Sequence, residues 1–201
     1  MSAMTEIPLF PLSAVLLPFG RVPLQIFEQR YLDLVRECMR SDSGFGVAWI
    51  RRGEEVAQRG GARAELGDWG CYARIVDWDQ LNNGLLGITI EGRQRFALHS
   101  TRVEASGLVR GQATLYEPPG VTPVLPQWHS LVDVLRSLET HPHVQRMNLS
   151  IDYDNIWQVA YSLIQLLPLD EALKYALLAM DEVEEVVAEL DALLNQISGE
   201  D

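Results

Sequence analysis

Lysine is nearly absent from this chain, which has one, Lys174, among 201 residues. A P-loop needs the pattern GxxxxGK[ST], in which the lysine binds phosphates, and Lys174 does not lie in it. Nucleotide hydrolysis of that type is therefore excluded, and so are most catalytic sites that pair a serine with a lysine. The motifs GxSxG, HExxH and GxGxxG and an EF-hand loop are also missing. We predict no catalytic residue and no cofactor.

Cysteine is scarce too, since the chain has only Cys38 and Cys71, which do not form a CxxC pair. Cys38 falls on the apolar face of a predicted helix and Cys71 in a predicted strand, so we expect buried free thiols and no disulfide scaffold. No apolar run approaches the roughly 20 residues that span a bilayer, and the first residues lack the basic start of a signal peptide. These absences favour a cytoplasmic protein with no membrane partner.

The four histidines do not form a recognisable metal motif. His141 and His143 could share a metal with His129, but Pro142 separates the first two and no cysteine is near. We expect solvent-facing histidines and predict no metal site.

Acidic residues are concentrated at one end of the chain. The net charge is −12, and from Asp152 onward twelve aspartates and glutamates occur with one lysine and no arginine. Such a surface repels phosphate backbones, so nucleic acid is not an expected partner.

A long apolar stretch with four prolines lies near the start of the chain. It covers residues 7–31 and reads IPLFPLSAVLLPFGRVPLQIFEQRY. Proline fixes φ and lacks a backbone donor, so we do not expect the stretch to be one helix or a central strand. Because it is nevertheless apolar, we predict that it lies against the core or exposes a binding surface, and that the other elements are arranged around it.

The following residues predict one helix and then a β-rich region. Apolar residues recur at helical spacing from Phe27 to Cys38. Strands are expected at 45–50, 70–78, 85–90, 95–99 and 108–116, with a loop at 51–61 and a short strand at 62–66. The Asn83-Gly84 pair predicts a hairpin turn, and Gly92 is expected to break the strand that follows it. Short strands joined by tight turns are typical of a small barrel or twisted sheet.

Beyond a cluster of prolines at 118–123 the apolar residues recur at helical spacing. The expected N-caps of the last three helices are Asp152 or Asp154, then Asp170, then Asp181, and Glu184 would complete a capping box with Asp181. The predicted fold class is α+β, with a β-rich part at 1–118 and a helical part at 123–201.

Three blocks of this sequence resemble the N-terminal domain family of Lon proteases. The most specific block is the proline-rich stretch leading into IFEQRY at 26–31; the others are EGRQRF at 91–96 and LLPL at 166–169 with Lys174, Leu177 and Leu178. The positions of the first block that carry the resemblance are Pro11, Leu12, Val15, Pro18, Pro23, Leu24, Ile26, Phe27, Glu28, Arg30 and Tyr31.

The resemblance implies a PUA-like β-barrel followed by a helical bundle, in a free-standing Lon substrate-binding domain without the ATPase and peptidase parts. It also implies a non-enzymatic module that binds protein or unfolded peptide segments, as an adaptor or client-holding protein in proteolysis. The candidate contact residues are Leu17, Phe19, Val22, Leu24, Phe27, Arg30 and Tyr31. Any of the apolar ones can instead belong to the core, and Arg30 can form a structural pair with Glu28.

Two other functions stay open. A cleft between the barrel and the helices could hold a small ligand or an active site with Asp77, Asp79 or His99, which requires these polar side chains to converge in a pocket. The apolar stripe of the last helix would also permit a homodimer, although packing within the chain explains the same stripe.

Overall fold

The chain divides into two compact units, Met1–Pro118 and Pro119–Asp201. The structure, a computed structural model, describes residues 3–52 and 65–199. In these ranges the first unit contains six strands and one helix. They are β1 Met4–Leu12, β2 Arg21–Ile26, α1 Gln29–Ser41, β3 Phe45–Arg52, β4 Glu65–Gln80, β5 Leu86–Val103 and β6 Val109–Leu115.

The strands of the first unit form one mixed sheet that closes on itself. β1 pairs in parallel with β3 and antiparallel with β6, while β5 pairs antiparallel with β4, β2 and β6. β5 takes three partners because it has 18 residues: residues 86–91 pair with β2 and residues 96–103 pair with β6. Strands β1, β3, β4, β5 and β6 therefore form a closed ring, and β2, joined to β5, is an edge strand among the described residues.

β1 lies inside this sheet although it contains two prolines, which corrects the expectation that the apolar stretch holds no central strand. Its pairs with β6 end at Leu9, and its pairs with β3 begin at Leu9. Pro8 therefore has a partner strand only on the β6 side, and Pro11 only on the β3 side. Each proline has the single-sided pairing of an edge position, where a missing backbone N–H is tolerated.

β5 continues through Gly92, where the sequence predicted a break. The register with β4 shifts between the pairs Tyr72–Gln94 and Ala73–Gly92, so Arg93 is an extra residue of β5 and forms a bulge. Gly92 itself is required by close packing. A methyl group there would meet the carbonyl oxygen of Leu17 and lie 2.9 Å from the sulfur of Cys71.

The main apolar core of the first unit joins the strands to α1. Phe10 stacks on Tyr31 with ring centroids 4.0 Å apart, and the ring of Phe45 lies 5.6 Å from that of Phe10. The apolar face of α1 is buried in this core, which confirms the predicted helix. Phe27 precedes the helix and is 56% exposed. A smaller core is formed by Ile7, Leu9, Phe96 and Ala113.

The second unit is helical. It has a 3₁₀ turn at Pro126–Trp128, followed by α2 His129–Glu139, α3 Pro142–Arg146, α4 Ile156–Leu166, α5 Glu171–Leu178 and α6 Val183–Ser198. α4 is buried along most of its length and contacts α2, α5 and α6, so it forms the centre of this unit. The α+β fold class predicted from the sequence is confirmed.

Two of the predicted helix caps differ from the structure. Asn155 caps α4 in place of Asp152 or Asp154, because the helix begins at Ile156 and the Asn155 side chain accepts a hydrogen bond from the N–H of Trp157. α6 begins after Glu182, whose side chain makes no capping bond, so the capping box expected from Asp181 does not form. Asp170 caps α5 as predicted, accepting from the N–H of Leu173 at 2.8 Å.

The segment 53–64 lies outside the described residues, and with it most of the loop expected at 51–61 and of the strand expected at 62–66. Arg51 and Arg52 belong to β3, and Glu65 and Leu66 to β4. Within the described ranges, none of the helices combines the length and the apolar character that a bilayer crossing needs.

Replacing Gly92 with alanine should lower the free energy of unfolding by about 1–3 kcal/mol, because the added methyl group meets backbone that cannot turn away. Gly120→Ala is the matched control, since nothing lies within 4 Å of the methyl position there. Urea denaturation followed by circular dichroism measures both variants. Equal unfolding midpoints would contradict this account of the packing.

The barrel should lose stability in alkali through Cys71. Burial raises the pKa of its thiol from 9.0 to about 12, so between these pH values the unfolded chain has lost a proton that the folded chain retains. Stability must then fall as the pH rises from about 9 towards 12. Urea midpoints measured at several pH values should fall more steeply for wild type than for Cys71→Ala. Parallel curves would show that Cys71 is not the group responsible.

Candidate functional site

Backbone hydrogen bonds fix the connection from β1 to β2 against β5. The N–H of Phe19 donates to the carbonyl of Gly92, and the N–H of Gly92 donates to the carbonyl of Gly20, both at 2.9 Å. Phe19 has a φ of 66°, in the left-handed region that bulky residues rarely adopt. The N–H of Gly20 closes the turn on the carbonyl of Leu17 at 3.1 Å. β2 therefore starts at a defined place beside β5.

An ion pair then fixes the register of β2. Arg21 lies opposite Glu91 in the sheet, and its Nε is 2.7 Å from the carboxylate of Glu91. Arg93, the extra residue of the bulge, approaches the other oxygen of the same carboxylate at 3.1 Å. Because both side chains of the first pair are largely shielded from solvent, this contact is stronger than an open surface pair.

The seven residues proposed from the sequence lie in different environments. Leu17 and Tyr31 are buried, with 0% and 5% of their surface exposed, so they hold the stretch in place and do not form its surface. Phe19 is half-buried, and Val22 and Leu24 are half-buried against the main core. Phe27 is the most exposed of the six apolar members of the set, at 56%. The remaining member, Arg30, is half-buried.

Arg30 forms the structural pair with Glu28 that the sequence allowed. Its Nε lies 2.8 Å from the Glu28 carboxylate, and its Nη1 donates to the carbonyl of Gly107 at 2.8 Å. The guanidinium also lies 4.6 Å from the ring centroid of Tyr31. These contacts tie the start of α1 to the connection between β5 and β6.

A groove of about 260 Å³ opens on the sheet where β2, β5 and β4 lie side by side. The residues that line it are Pro23, Leu24, Gln25, Asp77, Trp78, Asp79, Leu81, Gly87, Ile88 and Thr89. Gly87 has no side chain to fill the middle of the groove, and Leu81 covers that glycine, with a methyl carbon 2.8 Å from the position a Cβ would take.

The strand register assigns these residues to two faces of the sheet. Asp77, Thr89 and Pro23 are neighbours in one row across the three strands, and Asp79, Gly87 and Gln25 are neighbours in the row two residues further on. Trp78, Ile88 and Leu24 form the row between them and therefore point to the other face. Ile88 is buried in the core, so the aspartates lie on the outer face of the sheet.

The polar residues suggested as an active site are only partly brought together. Asp77 and Asp79 are exposed and share the groove, as their spacing on one strand requires. Each accepts a hydrogen bond from the next backbone N–H, at 2.9 and 2.8 Å. His99 does not line the groove; its ring lies 2.8 Å from the hydroxyl of Thr114.

Trp78 and Leu81 are groove residues that the sequence analysis did not select. Trp78 is 63% exposed, although its row on the sheet contains the buried Ile88. The sequence did contain a signal, because a tryptophan between Asp77 and Asp79 at the end of a strand is hard to bury. Composition and periodicity alone did not show that β2 would lie on the far side of the groove.

A second depression, of about 590 Å³, lies within the helical unit. It is lined by Pro123, Val124, His129, Val132, Asp133, Arg136, Tyr153 and Asp154. The hydroxyl of Tyr153 donates to the carboxylate of Glu139, and Arg136 lies over its ring at 4.8 Å. Burial, and then the bond to Glu139, raise the pKa of Tyr153 well above its ordinary value. Tyr153 is therefore held in place by Glu139 and Arg136.

Metal ligands are not assembled in the part of the chain that the structure describes, where no three His, Cys, Asp or Glu side chains lie close enough to hold an ion. His141 and His143 are exposed, and Nδ1 of His141 accepts from the backbone N–H of His143.

The closed mixed sheet with its edge strand, followed by a helical unit, is the fold of the Lon N-terminal domains. The family model described as the ATP-dependent protease La (LON) substrate-binding domain matches residues 6–196, and this chain belongs to that family. The resemblance found in the sequence is thereby confirmed. The further likeness of the barrel to PUA domains stays a prediction.

Solved structures share the fold over nearly the whole chain. A Lon N-terminal domain protein from Xanthomonas campestris is 34% identical, with a TM-score of 0.76 over 94% of this chain and 98% of its own. The N-terminal domain of a Mycobacterium avium complex Lon protease is 15% identical, with a TM-score of 0.59 over 92% and 96%. Lon protease 2 of Myxococcus xanthus is 33% identical over 91 residues, which are 45% of this chain and 11% of that protein.

Arg30→Ala should lower the free energy of unfolding by about 1–3 kcal/mol, because it leaves the Glu28 carboxylate and the Gly107 carbonyl without their donor. Arg36→Ala is the control: its side chain is 73% exposed and pairs with Asp33, so a change within about 0.5 kcal/mol is expected. Urea denaturation compares the two. An Arg30→Ala protein as stable as wild type would contradict this structural role.

Proposed function

We propose that this chain is a non-catalytic module that binds protein segments, and that the groove beside β2 is its binding site. The proposal is carried by one observation: an open groove, lined on the outer face of the sheet by Pro23, Leu81 and Thr89, adjoins an edge strand in a chain of the Lon substrate-binding family. Exposed apolar side chains beside a concave surface are typical of protein contacts.

The edge strand gives the groove a way to recognise backbone as well as side chains. Among residues 3–52 and 65–199, β2 pairs only with β5, so its other side offers backbone groups to an extended segment that would add to the sheet. Pro23 removes one donor from β2, which weakens unselective strand addition. Alternate side chains of the bound segment would then lie towards the groove. Such recognition needs no ordered client, as expected of a cytoplasmic adaptor or client-holding protein.

Filling the groove tests the proposal. Thr89→Arg places a long side chain on its floor, while Ser100→Arg makes the same type of change at an exposed position of the same strand. An array of twelve-residue peptides from apolar-rich proteins should bind wild type and Ser100→Arg, with at least a tenfold loss of signal for Thr89→Arg. Circular dichroism checks that both variants fold.

Two results would overturn the proposal. One is an array on which wild type binds no peptide. The other is equal binding by the two folded arginine variants, which would place any binding site elsewhere on the chain.

A further inference from the structure

We propose that the groove selects extended segments in which an arginine stands among apolar residues. This inference rests on the proposed function and adds the chemistry of the partner. It starts from the charge of the groove, whose ten lining residues include two carboxylates, Asp77 and Asp79, and no basic side chain.

The charges of these two carboxylates are not neutralised within the described ranges. The ion pairs found in residues 3–52 and 65–199 include neither Asp77 nor Asp79. Each uses an oxygen to accept the next backbone N–H, which leaves the other oxygen directed to solvent or to a bound partner. Both side chains are exposed, so a partner can reach them without displacing part of the fold.

The arginines nearest to the groove in the sheet already have partners. The next row on the outer face contains Arg21, Glu91 and Arg74. Arg21 is paired with Glu91 at 2.7 Å, and Arg74 is paired with Asp42. The charges of these cations are therefore compensated by Glu91 and Asp42, and the charge among the groove-lining residues comes from the two aspartates.

The spacing of the carboxylates suits a guanidinium group. Asp77 and Asp79 are two residues apart on one face of β4, which places their Cα atoms about 7 Å apart. A planar guanidinium has five donors and can bond to a carboxylate through two of them, or bridge two carboxylates, which an ammonium group cannot do with the same geometry. Its weaker hydration also suits a site with Leu81 and Pro23 beside it. An arginine flanked by apolar residues matches both parts of the groove.

Matched peptides test the inference. Two nine-residue peptides, acetyl-GSLVXVLSG-amide with arginine or its neutral analogue citrulline at X, differ by one charge and almost nothing in shape. Calorimetric titration should give a Kd for the arginine peptide about three- to tenfold lower than for the citrulline peptide, the range expected for one or two exposed ion pairs. The difference should shrink when sodium chloride is raised from 50 to 300 mM.

Variants locate the effect. In Asp77→Asn/Asp79→Asn the two peptides should bind alike. Glu184→Gln/Glu185→Gln, which makes the same change in net charge on α6, should keep the full preference for arginine. Both residue pairs are exposed, so each double variant is expected to fold.

The possible outcomes distinguish the preference for arginine from the proposed binding of peptides in the groove. Equal binding of both peptides by wild type, with loss of both in Thr89→Arg, overturns the arginine preference and leaves the proposed function in place. A preference that disappears equally in both double variants also overturns it, because the effect would then come from overall charge. Binding of neither peptide, together with no binding on the array, overturns the proposed function as well.

Discussion

The close contact between Gly92 and the turn at residues 17–20 is the constraint on which the barrel unit depends. Two backbone hydrogen bonds join them, and the missing side chain of Gly92 makes room for the carbonyl of Leu17. The bulge at Arg93 lies at the same point and increases the local twist of β5. One long strand can then pair with β2 in its first half and with β6 in its second, and this closes the ring.

The same contact determines where the candidate site lies. Because the turn is fixed on β5, β2 starts at Arg21 opposite Glu91 and ends as an edge strand. The edge position explains why Pro23 is tolerated, and β5 beside it contains Gly87, whose missing side chain makes room for Leu81 in the groove. Asp77 and Asp79 complete the groove from β4. The buried part of the apolar stretch thus belongs to the core. Residues 23–25 at its end line the groove, together with residues 77–89 from later in the chain.

Local patterns in the sequence predicted the elements that depend on local chemistry. The apolar face of α1, the cap at Asp170 and the hairpin at Asn83-Gly84, where Gly84 has a φ of 80°, are confirmed because each depends on neighbouring residues. Features that depend on distant pairing could not be predicted. Pro8 and Pro11 fit into a strand because β1 changes its partner strand at Leu9. Leu17 is buried because the turn that contains it packs against Gly92, which has no side chain in the way. Trp78 shows the same limit for the site, since its place at the groove follows from the pairing of β4 with β5 and of β5 with β2.

The central claim is that polypeptide binds on the outer face of β2, β5 and β4. Nuclear magnetic resonance of the isotope-labelled protein, titrated with the arginine peptide, tests it most directly because each backbone amide reports separately. We expect saturable chemical-shift changes at the amides of residues 24–25, 77–81 and 87–89, with the amides of α4 unchanged. Saturable changes confined to the helical unit, around Arg136 and Tyr153, would contradict it.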